Sequence, residues 1–237
     1  MRTAGIDGCM AGWLLITLDK DQAEYRMLRK PEELESVFDE FDRVFIDIPI
    51  GLSDSEYTRR CDKELQKRLG SSNSHNVVVS PPIRPALHAP TYVEANMQSY
   101  EFTGEKLPLA AWNITPKIRI IDQQLQSNPA LREKVLSSHP ELLFLNLNGG
   151  MIYQMKQTKK GLKHRLDLVV QHEPKAADFF REIKEKFRRN EVEETVIVDT
   201  LALALGARES VARNQLRTLP DGGEVDSQGL PRVIHFV

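Results

Sequence analysis

The segment Val44-Phe45-Ile46-Asp47-Ile48-Pro49-Ile50 is apolar almost without alternation. A strand with one face in water alternates polar and apolar residues, whereas one covered on both faces reads as a continuous apolar run. This segment therefore belongs in the centre of a sheet, and it stops at Pro49 and Gly51. A carboxylate, Asp47, stands in the middle of it.

The elements around this strand follow from spacing. Thr3 to Asp7 and Trp13 to Leu18 are short apolar runs separated by the small residues Gly8 to Gly12, which predicts a β-hairpin. Glu24 to Arg29 adds a third strand. Pro31 then stands where a first-turn proline sits, with Leu34, Val37, Phe38 and Phe41 at helical spacing, so the chain opens β-β-β-α. Ser53 or Asp54 is the expected cap of a charged helix running to about Leu69, ended by Gly70 and the polar stretch Ser71 to Ser74. Ser80 to Pro116 carries prolines at 81, 82, 85, 90 and 108 and reads as a long functional loop or lid with a short helix near Tyr92 to Tyr100. Helical spacing resumes at Ile114, Ile118, Ile121 and Leu125. Lys134 to Ser138 predicts a strand, Leu142 to Leu147 a short helix or a strand end, Ala176 to Arg189 and Thr195 to Arg213 two helices, and Val233 to Val237 an edge strand. No repeat appears and nothing marks a boundary between two domains. The 237 residues are read as one domain, 1–237, with an insertion at roughly 71–130.

Charge excludes one class of mechanism. Thirty-two Lys and Arg against 34 Asp and Glu leave a formal charge of −2, so no sequence-wide basic field holds a polyanion and any such partner must be gripped by a local patch. No apolar run approaches the length of a bilayer span and the N-terminus lacks a secretory hydrophobic region, which predicts a cytoplasmic protein with no membrane partner. Cys9 and Cys61 have no CxxC spacing, and His75, His88, His139, His164, His172 and His235 have no HExxH spacing, so neither a disulfide framework nor a zinc site is expected. Trp13 and Trp112 are expected to pack in the core or lid.

Three acids stand where a structural acid is costly: Asp7 in the first strand, Asp47 in the central strand, and Asp199 within Val196-Ile197-Val198-Asp199-Thr200-Leu201. A buried carboxylate must be paired, neutralised or bound to a metal. At these residues the chain resembles the ribonuclease H-like superfamily, and specifically the DUF429 family of predicted RNase H-like nucleases. The resemblance runs through Gly5-Ile6-Asp7-Gly8 with Gly12-Trp13, Asp47-Ile48-Pro49-Ile50-Gly51-Leu52, Arg60-Cys61-Asp62, Pro81-Pro82-Ile83-Arg84, Lys117-Ile118, His139-Pro140-Glu141 and Lys156 to Gly161. It implies an α/β, RNase H-like fold: a mixed five-stranded sheet flanked by helices, with an inserted Pro-rich loop or helical region. It also implies Asp7, Asp47, Glu141 and Asp199 as the acidic centre. Similar proteins carry Asp-Asp-x-x-Asp-Ala on the last helix, where this chain reads Thr195-Val196-Ile197-Val198-Asp199-Thr200, so one potential metal ligand is absent.

Phosphodiester hydrolysis needs an activated water, a neutralised phosphate and a stabilised leaving oxygen, which two Mg²⁺ or Mn²⁺ ions supply. Hard oxygen donors suit such ions. On this expectation Asp7 bridges the metals, Asp47 and Asp199 each hold one side, and Glu141 either completes the second site or merely complements a helix dipole after Pro140. Arg84, Lys117 and Arg60 are candidate phosphate contacts, as is Lys156, which opens the basic run Lys156, Lys159, Lys160, Lys163, His164 and Arg165. The activity expected is a metal-dependent nuclease acting on nucleic acid of unspecified type. Two other readings stay open: a kinase- or ATPase-like phosphate-binding enzyme on the same core, and a non-catalytic nucleic-acid or protein-binding module. Oligomeric state is not readable.

Overall fold

The computed structural model describes residues 1–19, 22–70 and 78–237; Ser71 to Ser74 and His75 lie outside the described residues. The chain divides into two compact units, the first made of residues 1–47, 133–217 and 235–237, the second of residues 48–132 and 218–234. The stretch expected as an insertion falls inside the second. Among the described residues there are eight α-helices: α1 (Pro31–Glu40), α2 (Arg60–Leu69), α3 (Tyr92–Thr103), α4 (Leu109–Ser127), α5 (Pro140–Leu147), α6 (Lys159–His172), α7 (Lys175–Lys186) and α8 (Glu194–Ala212). Helices α2 to α4 belong to the second unit.

The first unit is built on a five-stranded sheet of order β3-β2-β1-β4-β5. Its strands are β1 (Thr3–Cys9), β2 (Gly12–Thr17), β3 (Glu24–Leu28), β4 (Arg43–Ile46) and β5 (Val135–Ser137). The opening strands form an antiparallel meander, while β4 lies parallel to β1 and β5 parallel to β4. This is an α/β fold with a mixed five-stranded sheet flanked by helices, consistent with an RNase H-like fold. The apolar run at 44–50 forms a shorter strand than its composition suggests. β4 ends at Ile46, and Asp47 opens the bend that follows. Helix α8 is apolar nearly all round and lies buried on β1, β2 and β4, as a helix without a polar face must. Two short strands, β6 (Arg217–Leu219) and β7 (Ile234–Phe236), follow it. His235 of β7 forms a parallel bridge with Ser138, whose hydroxyl donates to the His235 carbonyl at 2.8 Å.

The second unit departs from expectation in two places. The segment 80–116 is more regular than expected: the short helix expected near Tyr92 to Tyr100 is α3, and a 3₁₀ turn at Arg84–His88 before it and α4 after it replace most of the expected loop. Its prolines sit where a missing N–H costs nothing, Pro85 in the first turn of the 3₁₀ segment and Pro108 at the N-cap of α4, and only Pro116 interrupts a helix interior. These elements enclose a small core of Ile83, Ala86, Ala89, Ala95, Leu107 and Ala111, with Trp112 packed against it. The charged helix begins at Arg60 rather than near Ser53. Ser53 Oγ instead accepts from the Glu56 amide at 2.8 Å, closing a local turn that competes with helix. The chain then wraps around buried Arg59, which donates to both oxygens of Asp62 at 2.8 and 2.6 Å and to the carbonyls of Ile50 and Gly51 at 2.8 and 2.9 Å.

Candidate functional site

The parallel register of β1 and β4 brings two carboxylates side by side. Ile6 pairs with Ile46, and the Asp47 amide donates to the Ile6 carbonyl at 3.1 Å, so Asp7 and Asp47 occupy the next positions along the two strands. On the other side of β4, Ser138 donates to the Ile46 carbonyl at 2.9 Å and places His139 beyond the end of β5. These are the carboxyl ends of parallel strands, where open α/β sheets bind ligands.

Asp199 arrives from α8. The helix backbone lies directly on Gly5: a Cβ there would stand 2.2 Å from the Ala204 amide nitrogen and 2.7 Å from the Thr200 carbonyl oxygen. Only glycine permits that approach. With α8 fixed two residues from Asp7, Asp199 is carried to the acidic end of the sheet. Lys156 completes the group, its Nζ donating to Asp199 Oδ2 at 2.7 Å.

Burial and like charge act together on these groups. Asp7 is 8% exposed and Asp199 3% exposed. Burial, then the charges of Asp47 and Asp199, hold the Asp7 carboxyl well above the usual aspartate range, against the pull of Lys156. Asp47 is raised by burial and by Glu141, while His139 and Lys156 oppose the shift. Asp199 is likewise raised by burial, with Glu141 and Asp47 adding to it and Lys156 opposing. Burial works against the Lys156 ammonium, but Asp199, Asp47 and Glu141 outweigh it and push its pKa up.

Glu141 has a different environment. Both its oxygens are engaged by Arg165, Oε1 by Nε at 2.8 Å and Oε2 by an Nη at 2.7 Å, and both side chains are buried. Arg165 also donates to the carbonyls of Gln154 at 2.8 Å and Gly161 at 3.2 Å. Gly161 packs so closely that a Cβ would lie 2.1 Å from the Met155 carbonyl oxygen. The pair therefore clamps the turn at 154–158 that presents Lys156. The run expected as a basic loop is this turn followed by α6, capped by Thr158, whose hydroxyl accepts from the Gly161 amide at 3.0 Å.

The structure thus brings together Asp7, Asp47, Glu141, Asp199 and Lys156, all in the first unit. Arg60, Arg84 and Lys117 belong to the second. Arg84 is engaged by Asp122, at 2.9 and 3.1 Å, and by Asp226, while Arg60 is exposed and paired with Glu64. Sequence reasoning missed the neighbourhood of His139 and Asp47 and the partnership of Arg165 with Glu141. The motif His139-Pro140-Glu141 was the available signal. Among the described residues no group of three or more His, Cys, Asp or Glu side chains is arranged to hold a metal ion.

Fold and site together define an α/β protein with a buried acidic centre at the carboxyl ends of its parallel strands. The chain matches the family described as Protein of unknown function (DUF429) over residues 5–225 and belongs to it. No curated protein and no solved structure matches the chain. No helix among the described residues is long and apolar enough to cross a membrane.

Proposed function

We propose that this protein is a metal-dependent phosphodiester hydrolase, a nuclease of the RNase H-like kind, whose centre is Asp7, Asp47 and Asp199. The observation that carries the reading is a charge imbalance. Burial raises the pKa of all three carboxylates at the end of the sheet, the charges of Asp47 and Asp199 raise that of Asp7 further, and the ammonium of Lys156 is set against them. Arg165 engages both oxygens of Glu141, whose charge still adds to the rise at Asp47 and Asp199. A hard dication fits what remains, because oxygen donors of this type prefer Mg²⁺ or Mn²⁺ and two of them stand on adjacent register positions. Asp7 and Asp47 would hold the ion, with Asp199 drawn partly away by Lys156. When bound, the ion neutralises the phosphate and sharpens a water as nucleophile.

The residues of the chain do the rest. Lys156 opposes the rise in the Asp199 pKa and places a positive charge beside the centre. The Glu141–Arg165 pair keeps the 154–158 turn, and so Lys156, from swinging away. The setting on this reading is the cytoplasm, which suits two buried cysteines that form no disulfide among the described residues.

One observation favours a second reading, a non-catalytic module of the same fold: Asp199 already has a cation in Lys156. Calorimetric titration of Mg²⁺ and Mn²⁺ into wild type and Asp7→Asn, with a cleavage screen over single-stranded, duplex, hybrid and branched substrates, separates the two. Metal binding and metal-dependent cutting, both lost in Asp7→Asn, are expected. Binding without cutting on any substrate moves the protein to the second reading, and no metal binding at all removes the hydrolase.

A further inference from the structure

A groove of about 510 Å³ in the first unit lies between α6, α7 and the start of α8. It is within the size range of sites that enclose small ligands. Its lining has two chemistries. Leu162, Leu166 and Phe180 are half-buried and present apolar surface, while Lys159, Lys163 and Arg189 are exposed cations. Lys163, its side chain 74% exposed, pairs with Asp167 one turn away, and such a pair holds the ammonium weakly. Glu194 at the groove is already matched by Lys184 at 3.1 Å, and Lys184 also stands 5.7 Å from the centre of the Phe180 ring. Glu193 is the acid in the lining without a cation partner among the described ion pairs, so cations prevail.

The cations are not explained by helix stability. Lys159 and Lys160 occupy the first turn of α6, where the helix dipole favours anions and the chain supplies none. Lys156 lines the same groove and bonds Asp199, so the groove and the acidic centre share a side chain.

We infer that this groove binds a single strand of nucleic acid, with phosphates on Lys159, Lys163 and Arg189 and a base stacked on Phe180. The inference rests on the hydrolase reading and adds to it the class of substrate. A duplex keeps its bases stacked inside and offers only its backbone, so the apolar lining goes unused; a single strand uses both surfaces. Neither stacking nor phosphate charge reads the 2′-hydroxyl, so DNA and RNA strands bind alike.

The test is fluorescence anisotropy in EDTA with labelled oligothymidylate and oligouridylate twelve-mers, a duplex of equal length and a polyglutamate peptide. The two single strands are expected to bind within about threefold of each other, the duplex at least about tenfold more weakly, and the peptide not measurably. The logarithmic salt slope for three phosphates on a single strand is about −2. Lys159→Glu with Arg189→Glu, both on the surface, weakens single-strand binding at least about tenfold and flattens that slope. Phe180→Leu weakens binding and leaves the slope unchanged. Equal binding of the duplex or the peptide, indifference to the double reversal, or no binding of any probe overturns the inference. Its failure is separable from that of the hydrolase. Groove binding without metal-dependent cutting removes the hydrolase and leaves the groove, whereas cutting that depends on Asp7 but ignores the double reversal removes the groove and leaves the centre.

Discussion

Lys156 places an ammonium where three carboxylates share a buried space, and most of its side chain is withdrawn from water, 22% remaining exposed. Removing it leaves Asp7, Asp47 and Asp199 to repel one another in a medium that screens poorly. Lys156→Ala is therefore expected to lose up to about 3 kcal/mol of stability at pH 7.5, because breaking one side of a buried pair strands the other charge. If the centre takes a dication, millimolar Mg²⁺ restores much of that loss, and thermal melts with and without MgCl₂ read the difference. A loss of stability that Mg²⁺ does not touch would mean that Lys156 is the only cation the site accepts. The three aspartates were legible in the sequence because each interrupts an apolar run, and interruption is a local signal. Their partners were not. Asp199 meets Lys156 across 43 residues and Glu141 meets Arg165 across 24, distances along the chain that only tertiary packing closes. Arg60 stood out in the sequence, whereas the buried guanidinium is that of its neighbour Arg59.

Among the elements, α8 and β1 determine the site more than any other pair, and their contact depends on the absence of one side chain. Gly5→Ala puts a methyl group against helix backbone that has no flexible end to yield. Such overpacking usually costs about 1–3 kcal/mol, and a backbone clash belongs at the upper end. The expected result is a urea midpoint lowered by a corresponding amount, with metal affinity reduced because Asp199 moves with the helix. An Ala variant of unchanged stability would show that α8 can retreat at little cost. The clamp beneath Lys156 makes a second prediction. Arg165→Met leaves Glu141 buried and unpaired and costs about 3–5 kcal/mol, whereas Arg165→Met with Glu141→Leu regains most of it. A double variant as unstable as the single one would assign the loss to the Gln154 and Gly161 carbonyls instead. The hairpin, the central strand and α8 were readable because their apolar patterns match their burial. In the segment 80–116 the short helix near Tyr92 was readable, but the rest was given to a loop because its prolines were counted against regular ladders, although at the first turn of a helix proline is compatible with the fold.

Over the whole molecule, a formal charge of −2 and an isoelectric point near 6.3 mean that general repulsion changes little between pH 5 and 8, so individual titrations stand out in the stability curve. Two sets of groups in the first unit oppose each other there. His235, 8% exposed, donates from Nδ1 to the Ser137 carbonyl at 3.1 Å, and burial lowers its pKa to about 4. Below its ordinary value of 6.5 the unfolded chain takes up a proton that the folded chain refuses. This contribution is present above pH 6.5 and is lost as the pH falls, up to about 3 kcal/mol by pH 4. Asp7, Asp47 and Asp199 act in the other direction. Their pKa values are raised in the folded state, so folded molecules hold protons that unfolded ones have released, and stability grows as the pH falls through the raised values toward 3.8. The wild-type urea midpoint between pH 7 and pH 5 therefore reads the balance of two opposed trends. Asp7→Asn removes the largest acid contribution: it is expected to be more stable than wild type at pH 7.5, by on the order of 1 kcal/mol, and to lose that lead on acidification as His235 acts unopposed. His235→Asn keeps a donor for the Ser137 carbonyl and behaves inversely, less stable at pH 7.5 and gaining on wild type toward pH 4. Urea midpoints for the three proteins at half-unit steps from pH 8 to pH 4 check both slopes. Parallel curves for wild type and Asp7→Asn would mean that Asp7 is ionised as freely in the folded chain as in the unfolded one, and the charge imbalance on which the metal-dependent reading depends would not exist.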